Sequence, residues 1–428
     1  MKILWVVNIM LPEFAQRTGR SFSSREGWLS GLLRQVRQNG DIYGLHIAFP
    51  TDDKKLVGNV TVIDGVTYHA FYEDLSHPEY YVKDLEGVFK KLIADIDPDI
   101  LHVFGTEFPH ALSAVIAFND PARTIVGMQG ICRRIAEDYM AEIPSTVANT
   151  ASFRDIIRKD WPRVQRRKFR LRAVSETAAL RLAGNVIGRT EFDREAVLEI
   201  NEELRYFCVN ETMRESFYEG SWNIDDARRH TIFTGQGDYP IKGLHFLIQS
   251  CGMLIKDYPD LEIKIAGNSI INAGSFKERM KLPIYGKYLL RLIDECGLNG
   301  HVSVTGMLGE ESMKKEYLSA GLFVLPSYVE NSPNTLSEAM LLGMPVVTSD
   351  AGGIKSMISE SEGFIFPRGD VNKMAESIRR VWELMDDDPN ALFEMTQRCR
   401  KRAFDEFDGR KNYESLMSVY NTVAGIEG

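Results

Sequence analysis

The chain has 428 residues, of which 44% are hydrophobic and 26% charged, and carries a formal net charge of −9. This is the composition of a soluble globular protein, which excludes a disordered chain, and the acidic balance argues against wholesale nucleic-acid binding. No run reaches the roughly 18 apolar residues that a spanning helix needs, and the length favours two cores of roughly 200 residues each.

The first residues, MKILWVVNIML, are apolar behind a single Lys2. No small-residue cleavage site follows, so they read as a buried first strand over residues 3–8 rather than a signal peptide. Runs of β-branched residues predict further strands at 42–49, 100–104, 124–128 and 185–188, and Asp64 and Gly65 form the turn of a small hairpin between 60–63 and 66–68. After the polar stretch 219–229 the series restarts, with strands at 231–234, 261–266, 302–305, 322–326, 345–348 and 364–366. Helices fill the gaps; 243–257 and 284–296 carry apolar residues at three- and four-residue spacing. The tail, 412–423, reads as a helix with Tyr413, Leu416, Met417 and Tyr420 on one face. This alternation predicts an α/β protein of two Rossmann-like, doubly wound domains, with ligands in the cleft at the carboxyl ends of the strands. The five cysteines (Cys132, Cys208, Cys251, Cys296, Cys399) are scattered, odd in number and without CxxC spacing. They suit a reducing cytoplasm and neither disulfides nor a zinc site.

The segment LFVLPSYVENSPNTLSEAMLLGMPVVTSDAGG, residues 322–353, carries the most chemistry. A strand runs into a polar loop, and a helix is expected to begin at Pro333 with Ser332 as its N-cap. The amides of Asn334 and Thr335 then face the loop as an anion site, with Asn331 and Ser332 beside them. Glu330 precedes that helix and Glu338 lies within it. Two carboxylates there can accept from paired hydroxyls of a sugar and a ribose. Taken singly, Glu338 is also compatible with a solvated helix face and Glu330 with a favourable charge near a helix N-terminus.

Together, the glutamate pair at this spacing and the following AMLLGMPVV and Gly352–Gly353 resemble the donor-site motif of the GT-B glycosyltransferases of family 4, the retaining, nucleotide-sugar-dependent "glycosyl transferases group 1". GQGDYPIKGLHFLIQSCGMLIKDYPDLEIKIAG, residues 235–267, is similar to the same family's phosphate-binding entry. The resemblance implies donor roles for Gly237, Lys242, Gly243, Gly267 and Asn268, with Lys242 as the cation on the diphosphate. A lone lysine of this kind is otherwise an ordinary solvated one. Residues 301–321 resemble the strand-turn-helix beside the nucleotide base, which implies main-chain contacts around Gly306 and Leu308. One departure is plain: the family's arginine, five or six residues before the lysine, is replaced by Gly237 or Gln236.

The resemblance reaches the first half more weakly. In PEFAQRTGRSFSSREGWLSGLL, residues 12–33, the family's Gly-Gly is Glu26–Gly27, so only Gly27 carries over. Arg20 and Arg25 are candidates for the missing cation, or plain loop arginines. At the end of the strand 100–104, Gly105, Thr106, Glu107 and His110 are expected on the acceptor side, whereas His102 within the strand reads as a core residue. Gln129 stands where relatives often have histidine; glutamine is no general base, so hydrogen bonding is its expected role. Arg189 and Asp193 are the expected exposed residues of a further acceptor segment, 186–197. From Arg154 to Arg172 there are nine basic residues against two acidic, with Phe153, Trp161 and Phe169 among or beside them. That stretch, 153–172, suits an anionic membrane face and equally a solvated helix face.

The expected organisation is an acceptor domain over 1–212, a donor domain over 213–405 and a helix over 406–428 returning to the first. The expected activity is that of a retaining hexosyltransferase moving a sugar from a nucleoside diphosphate, UDP ahead of GDP, to a hydroxyl acceptor such as a lipid-linked saccharide of a cell-surface polysaccharide. Glu330 and Lys242 are its expected catalytic residues, closure over the cleft excludes water, and no metal or other cofactor is expected. A cytoplasmic site, with or without peripheral contact at the inner membrane face, is implied, and no nucleic-acid partner. A nucleotide-sugar epimerase of the same architecture and a catalytically silent sugar-nucleotide binding protein are the alternatives.

Overall fold

A computed structural model describes residues 1–20, 27–40, 44–272 and 276–426. Arg25, Glu26 and Ile42 lie outside the described residues. The chain divides into two compact units: residues 1–136, 168–214 and 407–428 form one, and 137–167 with 215–406 form the other.

The first unit is built on β1 (Ile3–Val6), β2 (Leu45–Thr51), β3 (Val60–Ile63), β4 (Val66–Tyr72), β5 (Ile100–Phe104), β6 (Thr124–Gly127), β7 (Asn185–Gly188) and β8 (Arg205–Cys208), in the order β3-β4-β2-β1-β5-β6-β7-β8. All pairings are parallel except β3 with β4. β1 and β5 are buried at every residue, as strands covered on both faces must be. Asp64 (φ 50°) and Gly65 (φ 82°) make the two-residue turn of the expected hairpin. The strand order reverses between β1 and β5, so their carboxyl ends, Asn8 and Gly105, mark the switch point at which doubly wound sheets bind ligands.

The second unit holds β9 (Arg228–Thr234), β10 (Glu262–Ala266), β11 (Val302–Gly306), β12 (Ala320–Leu325), β13 (Val346–Ser349) and β14 (Phe364–Phe366) in one parallel sheet, ordered β11-β10-β9-β12-β13-β14. Its reversal lies between β9 and β12, so the loops after those two strands meet.

Two features differ from the expected organisation. Residues 137–167 belong with the second unit rather than the first. Buried Asp155 explains the attachment: it closes a capping box with Ser152 on the helix Phe153–Arg158 and accepts from the Ile284 amide at 2.8 Å. His245 adds a contact to the Ala141 carbonyl at 2.8 Å. The edge strand β8 is absent from the sequence expectation because four residues with exposed ends show no periodicity. The last helix, Gly409–Ala424, belongs to the first unit, where the Tyr420 hydroxyl accepts from Trp5 Nε1 at 2.9 Å and meets His102 Nδ1 at 2.8 Å.

Candidate functional site

At the switch point of the second unit, Gly243 (φ +71°) follows the short turn Pro240–Lys242 and precedes the helix Leu244–Leu254. A Cβ at Gly243 would collide with the Pro326 carbonyl at the end of β12. Glycine therefore lets this turn lie against the loop after β12, and the Tyr328 amide donates to the Ile241 carbonyl at 2.7 Å. The consequence is a direct ion pair: Lys242 Nζ stands 2.6 Å from Glu330 Oε1, which also accepts from Ser327 Oγ at 2.8 Å. The Gly353 amide donates to the Glu330 carbonyl at 3.0 Å, and Ser349 Oγ to the Ser327 carbonyl at 2.6 Å, so the loops after β12 and β13 are tied together.

The helix beyond Glu330 is Asn334–Leu342, and its N-cap is Pro333, not Ser332. Pro333 has an extended ψ of 117°, and its carbonyl accepts from the Leu336 amide at 3.0 Å, as an N-cap carbonyl does. Proline offers no side-chain acceptor, so no side chain caps this helix. The first-turn amides of Asn334 and Thr335 have no helical carbonyl within reach and are poised for an anion. Glu338 is only 4% exposed, which removes the solvated-face reading. Tyr317 closes over it: its hydroxyl donates to the Thr335 carbonyl at 2.9 Å and lies 3.4 Å from Glu338 Oε2.

The glycine turns take their places around this centre. A Cβ at Gly235 would stand 3.5 Å from Thr335 Cγ2, and one at Gly237 would press on Leu244. Gly267 (φ +100°) donates its amide to the carbonyl of Gly306 (φ +79°) at 3.0 Å, pairing the turns after β10 and β11. Asn268 is exposed, Leu308 and Ser332 are half-buried, and Asn331 is buried. Arg20, a candidate for the absent phosphate cation, is in the first unit and pairs with Asp53 at 2.8 Å. Ser327 and Tyr317 were not among the expected residues, because a serine in a polar loop and a tyrosine on a helix carry no pattern of their own. Among the described residues, no group of three or more His, Cys, Asp or Glu side chains is placed to hold a metal ion.

In the first unit, the switch point collects a polar network. Glu107 accepts from the Gly130 amide at 2.5 Å and from Asn8 Nδ2 at 3.5 Å, and Gly105 (φ +89°) leaves room for both side chains. His110 is fully buried between Glu73 Oε2 at 2.7 Å and Asn8 Oδ1 at 3.1 Å. Thr106 is also buried; its hydroxyl donates to Glu176 at 2.8 Å. Glu176, a lone acid on the basic helix Pro162–Leu182, gives no sign in the sequence of its burial. Burial pushes its carboxyl up to about 7, against the amides of Cys132 and Arg133 and the Thr106 hydroxyl that favour the charged form.

Further along the strand ends, Gln129 Nε2 donates to Glu211 Oε1 at 3.2 Å. Arg189 and Asp193 are not exposed as expected. The Arg189 side chain pairs with Glu211 and donates to the Met128 carbonyl at 2.9 Å; Asp193, fully buried, completes a capping box with Thr190 on the helix Glu191–Leu198. Gly27 opens the helix Gly27–Asn39, and a Cβ there would stand 2.7 Å from Arg214 Cδ.

The basic stretch is not one helix face but two helices, Phe153–Arg158 and Pro162–Leu182. Several of its cations are paired: Arg154 with Asp160 at 2.9 Å, Lys168 with Glu79 at 3.4 Å, and Arg172 with the Glu107 carbonyl at 2.6 Å. Phe153, Ile156 and Ile157 are exposed at 65%, 61% and 66%. Among the described residues, no helix is long and apolar enough to cross a membrane.

Two parallel-sheet α/β units with this loop arrangement define the GT-B class. Residues 215–405 match the family described as "Glycosyl transferases group 1". Solved structures of the same fold include a sucrose-phosphate synthase from Thermosynechococcus elongatus (TM-score 0.69, 15% identity, 100% of both chains). Anabaena HepE, solved with UDP and glucose, superposes with a TM-score of 0.68 at 17% identity over 99% of this chain and 100% of its own. Among curated relatives, TuaC of Bacillus subtilis, named as a glycosyltransferase of teichuronic acid biosynthesis, is 34% identical over 131 residues, 29% of this chain and 31% of its own. CapM of Staphylococcus aureus, a capsular polysaccharide biosynthesis glycosyltransferase, is 28% identical over 182 residues, 42% of this chain and 43% of its own. These matches thus span between 31% and 43% of the relatives' lengths.

Proposed function

We propose that this chain is a retaining glycosyltransferase of cell-surface polysaccharide synthesis, moving a sugar from a nucleoside diphosphate, UDP ahead of GDP, to a hydroxyl of a lipid-linked saccharide. The observation that carries the reading is the Lys242–Glu330 contact beside the uncapped helix Asn334–Leu342. Lys242 and the amides of Asn334 and Thr335 hold the diphosphate, where negative charge grows as the glycosidic C1–O bond breaks. Glu330 accepts from the donor sugar's hydroxyls, and buried Glu338 from those of the ribose. The electron pair of the broken bond stays on the leaving phosphate oxygen. The acceptor oxygen bonds C1 from the same face, and its proton passes to that phosphate. Glu107, Gln129 and Arg189, with Gly27, Gly105, Thr106 and His110 supporting the strand ends, form the acceptor side. Lysine and helix amides supply the positive charge on the diphosphate, so transfer is expected to survive chelation by EDTA. The names of the curated relatives support the polysaccharide role, and the UDP complex of HepE supports the choice of base.

All five cysteines are free, which suits a cytoplasmic enzyme. The exposed Phe153, Ile156 and Ile157 beside Arg154 and Arg158 support peripheral contact with an anionic bilayer. The test is incubation with labelled UDP- and GDP-sugars, with and without bacterial membrane lipid extract. Transfer that requires the lipid is expected. Epimer formation without any acceptor, or donor binding with no turnover under either condition, overturns the reading.

A further inference from the structure

In the second unit, the helix Phe153–Arg158 buries its acid and exposes its apolar side chains. Asp155 is its one buried residue, while Phe153, Ile156 and Ile157, at helical spacing on one face, are exposed at 65%, 61% and 66%. Asp155 fixes that orientation, because its carboxylate accepts from the Ile284 amide at 2.8 Å. Phe153 and Ile157 line a groove of about 1,070 Å³, together with Ile270 and the 44% exposed Met280. The Ile270 side is anchored to the same first helical turn: a Cβ at Gly286 would collide with the Ile270 carbonyl, so glycine lets this loop lie against the helix Ile284–Glu295. Both sides are thus held to one helix start, and the volume is that of a ligand site rather than a packing gap.

The charges in the groove are divided. Asp160 and Asp238 also line a smaller space of about 70 Å³, which Phe153, Ile157, Arg158, Met280 and Lys281 do not line. The acids therefore lie where the two spaces adjoin, away from the exposed apolar side chains. Asp160 is neutralised there by Arg154 at 2.9 Å. At the apolar end, Arg158 and Lys281 are exposed, and among the described residues neither side chain has a hydrogen-bond or ion-pair partner. Exposed hydrocarbon beside two such cations fits an occupant with one anionic group joined to an apolar chain. A free phosphate or a nucleic acid would meet the cations and leave Phe153, Ile157 and Met280 in water.

We propose that this groove seats one anionic phospholipid, its phosphate between Arg158 and Lys281 and an acyl chain along Phe153, Ile157 and Met280. The site rests on the membrane contact proposed above and makes it saturable, one lipid to one chain.

The test titrates the full chain by calorimetry with dihexanoyl phosphatidylglycerol and with dihexanoyl phosphatidylcholine, each below its micelle concentration, and separately with UDP. One equivalent of the anionic lipid is expected to bind, at least about tenfold more tightly than the zwitterionic one. Arg158→Glu and Ile157→Ser are each expected to weaken it by about tenfold or more, with the melting transition and UDP affinity retained. Arg167→Glu makes the same charge change at an exposed arginine outside the groove and is expected to weaken it less than about twofold. Equal affinity for the two lipids, equal losses in Arg158→Glu and Arg167→Glu, binding that does not saturate, or no lipid binding overturns the site. Self-association of the chain that Ile157→Ser abolishes assigns the face to a second copy and overturns it too. Sedimentation with phosphatidylglycerol vesicles separates the site from the reading beneath it. Pelleting that Arg158→Glu and Ile157→Ser leave intact overturns the site and keeps the membrane contact, whereas no pelleting of the unaltered chain overturns both.

Discussion

Lys242 and Glu330, 88 residues apart in the chain, meet at 2.6 Å at the switch point of the second sheet. The pair gives each residue a distinct task. In the proposed reaction the lysine, held by the carboxylate, is shared with the donor's diphosphate, and the carboxylate is aimed by Ser327 and the lysine together.

Because the two are proposed to act on different parts of the donor, their variants are expected to separate. Lys242→Ala is expected to weaken UDP binding by about tenfold or more, the loss of a charge-assisted contact. Glu330→Gln is expected to leave UDP affinity within about threefold and to lower transfer by about a hundredfold. Calorimetric titration with UDP and initial-rate measurements on both variants check this; equal losses of affinity contradict the division of roles.

Gly243 sets the approach that makes the pair possible. Gly243→Ala places a side chain at φ +71° and against the Pro326 carbonyl. A destabilisation above about 2 kcal/mol is expected from strain and collision together. Urea unfolding measures it; a change below about 0.5 kcal/mol contradicts the packing argument.

Stability should fall on the acid side of neutrality. Burial holds His102 down at about 3 and His245 and His69 at about 4, against an ordinary 6.5. The unfolded chain binds protons at these sites first, so their contribution is full above pH 6.5 and is lost as pH falls towards 4. Glu176 acts in the opposite sense: raised from 4.5 to about 7, it favours the fold below pH 4.5 and loses that contribution as pH rises through this window. Three histidines outweigh one glutamate. Urea midpoints between pH 7 and 4 should decline, and His245→Gln should flatten the slope.

The position of the N-cap has its own test. Ser332 caps no helix amide, since Pro333 holds that position. Ser332→Ala is therefore expected to change stability by less than about 0.5 kcal/mol, where loss of a serine cap costs about 1 kcal/mol. Thermal unfolding of the variant decides between the two positions.

What was legible in the sequence was local. Strand runs, the Asp64–Gly65 turn and the spacing of Glu330, Pro333 and Glu338 are short-range patterns, and the structure shows each as an element or a loop. Strand order is not short-range. The contact of Lys242 with Glu330 depends on β9 lying beside β12, and no motif states that adjacency. Burial of polar residues was also hidden. Arg189, Asp193 and Glu176 look like surface residues by type, yet each is enclosed because a specific partner (Glu211, the Thr190 cap, the amides of Cys132 and Arg133) compensates its desolvation. Likewise Asp155, one acid amid many bases, joins 137–167 to the second unit through a single amide that the sequence does not single out.

In the proposed donor site the second unit grips a nucleotide through Glu338 as well as through the phosphate cradle. The most direct measurement is the dissociation constant of UDP for the unaltered chain and for Glu338→Ala, by isothermal calorimetry. Saturable binding is expected, weakening by about tenfold or more in the variant with its melting transition retained. An unchanged dissociation constant contradicts the ribose role of Glu338, and no binding to the unaltered chain contradicts the donor site itself.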